Sequence, residues 1–304
     1  MDLRTATRSG AAAIALTALM LVGGCALPGV DSHVDAPQGV GTLRYRDAIT
    51  DAVDLTRDLT YGQAPGRDGR AESLKLDLYQ PAGDTSPARP AIIWVHGGSF
   101  TEGDKAYGPV EDLSMTFAQL GYVVVSINYR LLASAGCYGA GGVTPSCYAA
   151  AIAAVHDGQA AVRWLRANAA TYRIDPDRIG IGGVSAGAIV ASAVGVWADT
   201  PGDSGNPGQS SAVRAWVSIS GGLPNGMFVD ASDSPGLLFS GTSDYVVPYA
   251  WSLDTANALA AADVPVVLQT LYGAGHVPWG DHHDEFVSQS TNFFYEYLDV
   301  AHAA

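Results

Sequence analysis

Gly183-Val184-Ser185-Ala186-Gly187 is the stretch on which the reading of this chain turns. An apolar, β-rich run at 179–184 leads into it, and a segment rich in Ala and Val at 186–198 leaves it. A strand that passes so abruptly into a helix needs a tight turn, and small flanking residues relieve the crowding there. The serine sits on the turn itself, with the N–H groups of the helix start and their favourable field behind it. A glycine-rich helix cap is the plainer alternative for five such letters. The strand before and the helix after favour a serine nucleophile raised into a cleft.

Working outward, short apolar runs alternate with longer helical patterns, the mark of a mainly parallel sheet covered by helices on both faces. Strands are expected at 91–95, 122–127, 179–184, 215–219, 237–239 and 266–271, most of them continuous apolar runs suited to burial on both faces. Residues 74–78 alternate with period two and predict an antiparallel or edge strand. Helices are expected at 110–120, 149–172, 186–198, 251–261 and 284–298, and 200–211 is all turn chemistry. The fold class is therefore α/β.

Three further segments carry chemistry. His96-Gly97-Gly98-Ser99-Phe100 follows the strand at 91–95, where paired glycines let backbone N–H groups approach a bound carbonyl. Gly97 or Gly98, with Ala186, is the expected oxyanion hole; His96 is expected to brace the loop. Asp244 lies just behind the run 237–239, and His276 ends Gly273-Ala274-Gly275-His276 behind the run 266–271. Alone, Asp244 reads as a turn former and His276 as a loop residue. Together with Ser185, in the chain order Ser, Asp, His, they form a candidate catalytic triad of nucleophile, orienting acid and base. Among aromatic residues near these segments (Phe100, Tyr107, Tyr129, Tyr245 and Trp279), Phe100 and Trp279 are the best candidates to line a substrate pocket.

On these residues the chain resembles the α/β-hydrolase carboxylesterases, particularly a bacterial branch near feruloyl, acetylxylan and hormone-sensitive-lipase-like enzymes. The resemblance runs from about residue 72 to the C-terminus. It rests on Trp94-Val95-His96-Gly97-Gly98 followed by Gly103-Asp104-Lys105, on 121–130 ending Asn128-Tyr129-Arg130, and on 172–179 leading into the serine turn. It implies a serine esterase acting through an acyl-enzyme on a small-molecule, lipid or carbohydrate ester, with no cofactor and no metal. An acyltransferase or peptidase on the same residues, or a silent surface protein that binds a partner, are the competing readings. Two departures are Ser99, where a third glycine is common, and Ala188, where the serine turn often has a further glycine.

Other motifs carry less. Gly202-Asp203-Ser204-Gly205 matches the nucleophile string of trypsin-like proteases but lies in a polar loop of an α/β pattern, and reads as a turn. Asp281-His282-His283-Asp284 lacks metal-ligand spacing and more plausibly begins the last helix. His156-Asp157 opens the long helix expected at 149–172, with a structural role.

Arg4 and Arg8 precede an apolar run at 11–22 that ends in Gly23-Gly24-Cys25. This is the pattern of an export signal over 1–24, and its end resembles a bacterial lipobox with Cys25 as the lipidated residue. Lipid anchoring, plain secretion and an uncleaved anchor are the three readings, the first favoured. A Gly- and Pro-rich linker at 25–43 and one catalytic domain at 44–304 follow. The remaining cysteines, Cys137 and Cys147, form an even pair in a Gly-rich loop and suit a disulfide in an oxidising compartment, with two free buried thiols as the alternative. A net charge of −14, without clusters of Arg and Lys to neutralise phosphates, argues against a nucleic-acid partner.

Overall fold

The computed structural model describes residues 43–133, 137–139, 142–200 and 202–302. The expected export segment, Cys25 and all of the expected linker but Leu43 lie outside the described residues. From the N-terminal side the elements are β1 (Val53–Pro65), β2 (Ala71–Pro81), β3 (Arg89–Val95), α1 (Gly108–Gln119) and β4 (Val123–Ile127). A two-residue pair β5 (Tyr138–Gly139) and β6 (Gly142–Val143) precedes α2 (Pro145–Ala167) and the single turn α3 (Ala169–Tyr172). Then come β7 (Ile174–Val184), α4 (Ala186–Val196), β8 (Ala215–Ile219), β9 (Gly236–Gly241), α5 (Tyr249–Ala261), β10 (Val266–Leu271) and α6 (Trp279–Tyr297).

Eight strands form one sheet in the order β1-β2-β4-β3-β7-β8-β9-β10. β2 pairs antiparallel with β1 and with β4, and every pairing from β4 to β10 is parallel. Antiparallel pairing at 74–78 agrees with the alternation there, but the edge is β1, a strand the sequence pattern does not reveal. Each β–α–β crossover places a helix on one face, so alternate residues of the central strands feed two cores. Ile93, Val95, Ile181 and Leu238 pack with residues of α2, α4 and α5. Ile92, Trp94, Val217, Leu237 and Phe239 pack with Val110, Leu113 and Phe117 of α1 and Phe286, Phe293 and Phe294 of α6. Gly182 is small because the Trp94 ring lies on it: a Cβ there would stand 2.2 Å from Cζ3.

The expected long helix at 149–172 starts earlier and breaks. Thr144 caps α2, its Oγ1 accepting from the Cys147 N–H, and Asn168 interrupts the helix before α3. His156-Asp157 consequently lies in the middle of α2, not at its start. Asp157 is fully buried and grips Arg130, so its role is structural. The parallel strands carry the expected functional residues just beyond their C-terminal ends: Gly97 after β3, Ser185 after β7, Asp244 after β9 and His276 after β10. An open parallel sheet gathers its binding site along that edge.

Candidate active site

Ser185 is held at φ 56° and ψ −119°, a conformation that few non-glycine residues adopt. Its N–H donates to the Ile219 carbonyl at the end of β8 (2.9 Å), which ties the turn to the sheet. The turn also has no room for side chains beside it. A Cβ at Gly187 would lie 2.1 Å from the Val95 carbonyl oxygen, and one at Gly183 2.1 Å from that of Gly187. The strain at Ser185 is thus imposed by packing on both sides, and the hydroxyl is left at the floor of a cleft.

From that hydroxyl runs a line of two hydrogen bonds. Ser185 Oγ and His276 Nε2 are 2.8 Å apart, and His276 Nδ1 and Asp244 Oδ2 are 2.8 Å apart. The Asp244 side chain is fully buried, and its other oxygen accepts from the N–H groups of Val246 (2.8 Å) and Val247 (2.9 Å). A carboxylate fixed in this way makes Nδ1 the protonated nitrogen of a neutral imidazole and leaves Nε2 to accept from the serine.

The histidine loop has a support that the sequence reading missed. Val277 stands at φ 47°, costly for a β-branched residue, and its N–H donates to Ser220 Oγ (3.0 Å). Ser220, just past β8, is anchored in turn by its own N–H on the Phe239 carbonyl (2.8 Å). The available signal was a serine and two glycines closing an otherwise apolar strand.

Gly97, Gly98 and Ala186 all border Ser185. A Cβ on Gly97 would meet the Ser185 Cβ at 3.1 Å, and Gly98 has φ 113°, a region open to glycine alone at low cost. Ser99 and Phe100 follow at φ 53° and 61°, so the departure from a third glycine is accommodated as backbone strain. His96 does brace this loop. It is buried, stacks on Tyr129 (ring centroids 4.4 Å), and donates from Nδ1 to the Gly97 carbonyl (2.6 Å). Burial holds its imidazole below the ordinary histidine pKa, in the neutral form. The Tyr129 hydroxyl donates to the His96 carbonyl (3.1 Å), and Asn128 Nδ2 to Asp104 (2.8 Å), so the Asn128-Tyr129 pair pins both ends of the loop.

Two cavities meet at Ser185. One, of about 170 Å³, is lined almost wholly by apolar groups, among them Phe100, Ile152, Ile189, Trp197, Met227 and Val247. The other, of about 570 Å³, is open and mixed, and is bordered by Gly97, Gly98, Glu102, Tyr107, His276 and Trp279. Phe100 and Trp279 therefore line different cavities. Of the other aromatic candidates, Tyr107 faces the open cleft, Tyr129 is buried behind the loop and Tyr245 is 94% exposed. Most of the apolar wall escaped the sequence reading, because it joins one face of α2, one face of α4 and the 223–228 turn, which lie far apart in the chain.

The remaining motifs are structural in their contacts. Ser204 is buried against Asp157 and Arg130. His282 pairs with Glu285 and His283 with Asp284 inside α6, which starts at Trp279, and His283 also reaches Asp112 of α1. Cys137 and Cys147 are joined in a disulfide, with Cα atoms 5.0 Å apart.

Known proteins place the chain. The BD-FAE family model matches residues 76–221, and that of the prolyl oligopeptidase family matches 203–301. Over residues 76–301 the chain is thus similar to α/β-hydrolase esterases and peptidases, in keeping with the resemblance read from its motifs. Lipase 1 of Geotrichum candidum is 34% identical over 141 residues, 45% of this chain and 24% of that protein. The probable carboxylic ester hydrolase LipM of Mycobacterium tuberculosis is 31% identical over 175 residues, 54% of this chain and 35% of its own. The chain thus spans about a quarter to a third of these relatives' lengths. In fold, a butyrate-bound esterase from the planctomycete Thermogutta terrifontis aligns with TM-score 0.64 at 23% identity, over 74% of this chain and 90% of that one.

Proposed function

We propose that the chain is a serine esterase that cleaves carboxylic esters through an acyl-enzyme. The supporting observation is the hydrogen-bonded line from Ser185 through His276 to Asp244, set where two cavities meet. Ser185 Oγ attacks the ester carbonyl as His276 Nε2 takes its proton, and Asp244 stabilises the imidazolium that results. The oxyanion is received by the N–H groups of Ala186 and of Gly97 or Gly98; one such donor is worth about 2.7–4 kcal/mol of barrier. The same imidazolium then protonates the departing alkoxide. Since His276 borders only the open cleft, the alcohol leaves on that side and the acyl group occupies the apolar cavity. Water, activated by His276, hydrolyses the acyl-enzyme.

A panel of nitrophenyl esters from acetate to palmitate, with feruloyl esters added, tests this directly. Wild type turns the panel over and is labelled by a fluorophosphonate; Ser185→Ala loses the label and about 10⁶-fold in kcat. Folded wild type that neither hydrolyses an ester nor takes the label would sink the reading. The prolyl oligopeptidase match over 203–301 supports a peptidase as second reading, since that segment holds both the acid and the base; cleavage of a peptide amide faster than the matching ester would favour it.

The export signal at 1–24 and lipidation of Cys25 belong to the same proposal. The Cys137–Cys147 disulfide supports an oxidising compartment. Metabolic labelling with a fatty-acid analogue, lost in Cys25→Ser, separates anchored from freely secreted protein.

A further inference from the structure

The apolar cavity has a wall that ester chemistry does not require: both half-cystines line it. Cys147 stands in the first turn of α2 and Cys137 in the segment before it, both nearly buried. The Cys137 sulfur lies 3.1 Å from the Ser99 carbonyl oxygen. An oxidised sulfur carries no proton, so this is close packing against the loop that holds Gly97 and Gly98. One covalent group therefore touches the oxyanion loop, the helix start and the cavity.

Part of the opposite wall stands on long elements. Ile189 and Ala193 project from α4, Ala151 and Ile152 from the body of α2. The wall at Cys137 and Val143 stands instead on the two-residue strand β6 and on the residue before β5, joined to the start of α2 by the bond from the Thr144 N–H to the Cys137 carbonyl (2.9 Å). Val143 and Tyr148, 40% and 51% exposed, bring this wall to the cavity mouth. So short a pair of strands is marginal without further restraint, and a cross-link over ten residues supplies it.

We propose that the Cys137–Cys147 disulfide sets the length of acyl group the cavity accepts, and that reducing it shifts preference toward longer acyl chains. The inference rests on the assignment of this cavity to the acyl group. Two thiols of a reductant deliver two electrons and two protons: one attacks a cystine sulfur to give a mixed disulfide, the second releases it. The products are the Cys137 and Cys147 thiols and one oxidised reductant. The freed wall then withdraws, and an acyl chain too long for the oxidised cavity gains contacts in place of a clash.

The test is kcat/KM for nitrophenyl acetate, butyrate, octanoate, laurate and palmitate. It compares oxidised wild type, wild type with a thiol reductant, and the Cys137→Ala/Cys147→Val pair, which keeps apolar volume without the bond. Fluorophosphonate labelling of Ser185 is followed in parallel. A single methylene in an apolar pocket is worth about tenfold or more in selectivity, so laurate is expected to gain on acetate by about that factor in both forms that lack the bond while labelling persists. A profile of unchanged shape, even with lowered melting temperature, overturns the inference and makes the disulfide a staple only. Absence of both labelling and hydrolysis in oxidised wild type is a different failure, that of the esterase reading itself.

Discussion

Two clusters in this chain are built from the same kinds of side chain. In one, Ser185, His276 and Asp244 form an open line whose serine faces two cavities. In the other, Ser204, Asp157, Asp203 and His156 close around a cation. Arg130 Nε bonds both oxygens of the buried Asp157 (3.0 and 3.1 Å), and its terminal nitrogens bond Asp203 (3.1 and 2.8 Å). Both serines sit in glycine-flanked strings that match hydrolase signatures, and both bond to an acid or base. The difference is what holds them. Ser185 has an imidazole nitrogen within reach of its proton; Ser204 donates to a carboxylate already held by a guanidinium, and its oxygen accepts from that same guanidinium. A serine is a nucleophile by virtue of a free acceptor and an open side, not of its neighbours in sequence.

The largest expected effect breaks the first cluster while leaving its shape. Asp244→Asn keeps a side chain that can accept from the Val246 and Val247 N–H groups, but turns its amide toward His276 Nδ1 or loses that contact. The imidazole then favours the wrong tautomer, and kcat is expected to fall by about 10⁴-fold, as loss of an orienting acid does elsewhere. Stopped-flow ester hydrolysis beside a circular dichroism melt checks it: a large rate loss with an unchanged melt is the expected pair of results. A rate within tenfold of wild type would remove Asp244 from the machinery.

The next effect falls on the second cluster, in stability. Arg130→Met leaves Asp157 buried without its cation, and breaking such a pair costs about 3–5 kcal/mol. Urea unfolding should show that loss, and the double variant Arg130→Met/Asp157→Leu should recover much of it. Ester turnover per folded molecule is expected to stay close to wild type in both. If Arg130→Met instead abolished turnover in protein that remains folded, the two clusters would not be separate units.

This division explains what the chain discloses before folding. The serine turn, the glycines after β3 and the acid and base loops are local: each is a strand end followed by turn residues, and each was legible. So were the parallel strands, because burial on both faces makes them continuous apolar runs. β1 was not. Its sequence holds Gly62 and ends in Pro65, and its register slips between Thr56 and Leu59 and again between Thr60 and Gly62, so period-two alternation never builds. Gly62 itself serves a distant contact, since a Cβ there would lie 2.0 Å from the Ser204 carbonyl. The apolar cavity and the Ser220 support stayed hidden for the same reason. They are products of tertiary packing, assembled from segments far apart in the chain.

The smallest expected effect separates the two carboxylates that share Arg130. The Arg130 hydrogen bond holds Asp203 below its ordinary value of 3.8, whereas burial pushes Asp157 above its own. A depressed carboxylate stabilises the fold above its unfolded pKa, and the contribution fades as pH falls through the lowered folded value. A raised one has the opposite sign. Asp203 thus contributes near neutrality and loses its contribution below 3.8. Being half-exposed, it contributes modestly. The comparison is between wild type and Asp203→Asn, whose melting temperatures should differ near pH 7 and converge on acidification below that value. Asp84, Asp104 and Asp199 are also depressed and make both proteins acid-labile, so the gap between them carries the information, not either curve alone. A gap that persists in acid would show that Asp203 acts by packing and hydrogen bonding to Arg130, independent of its charge.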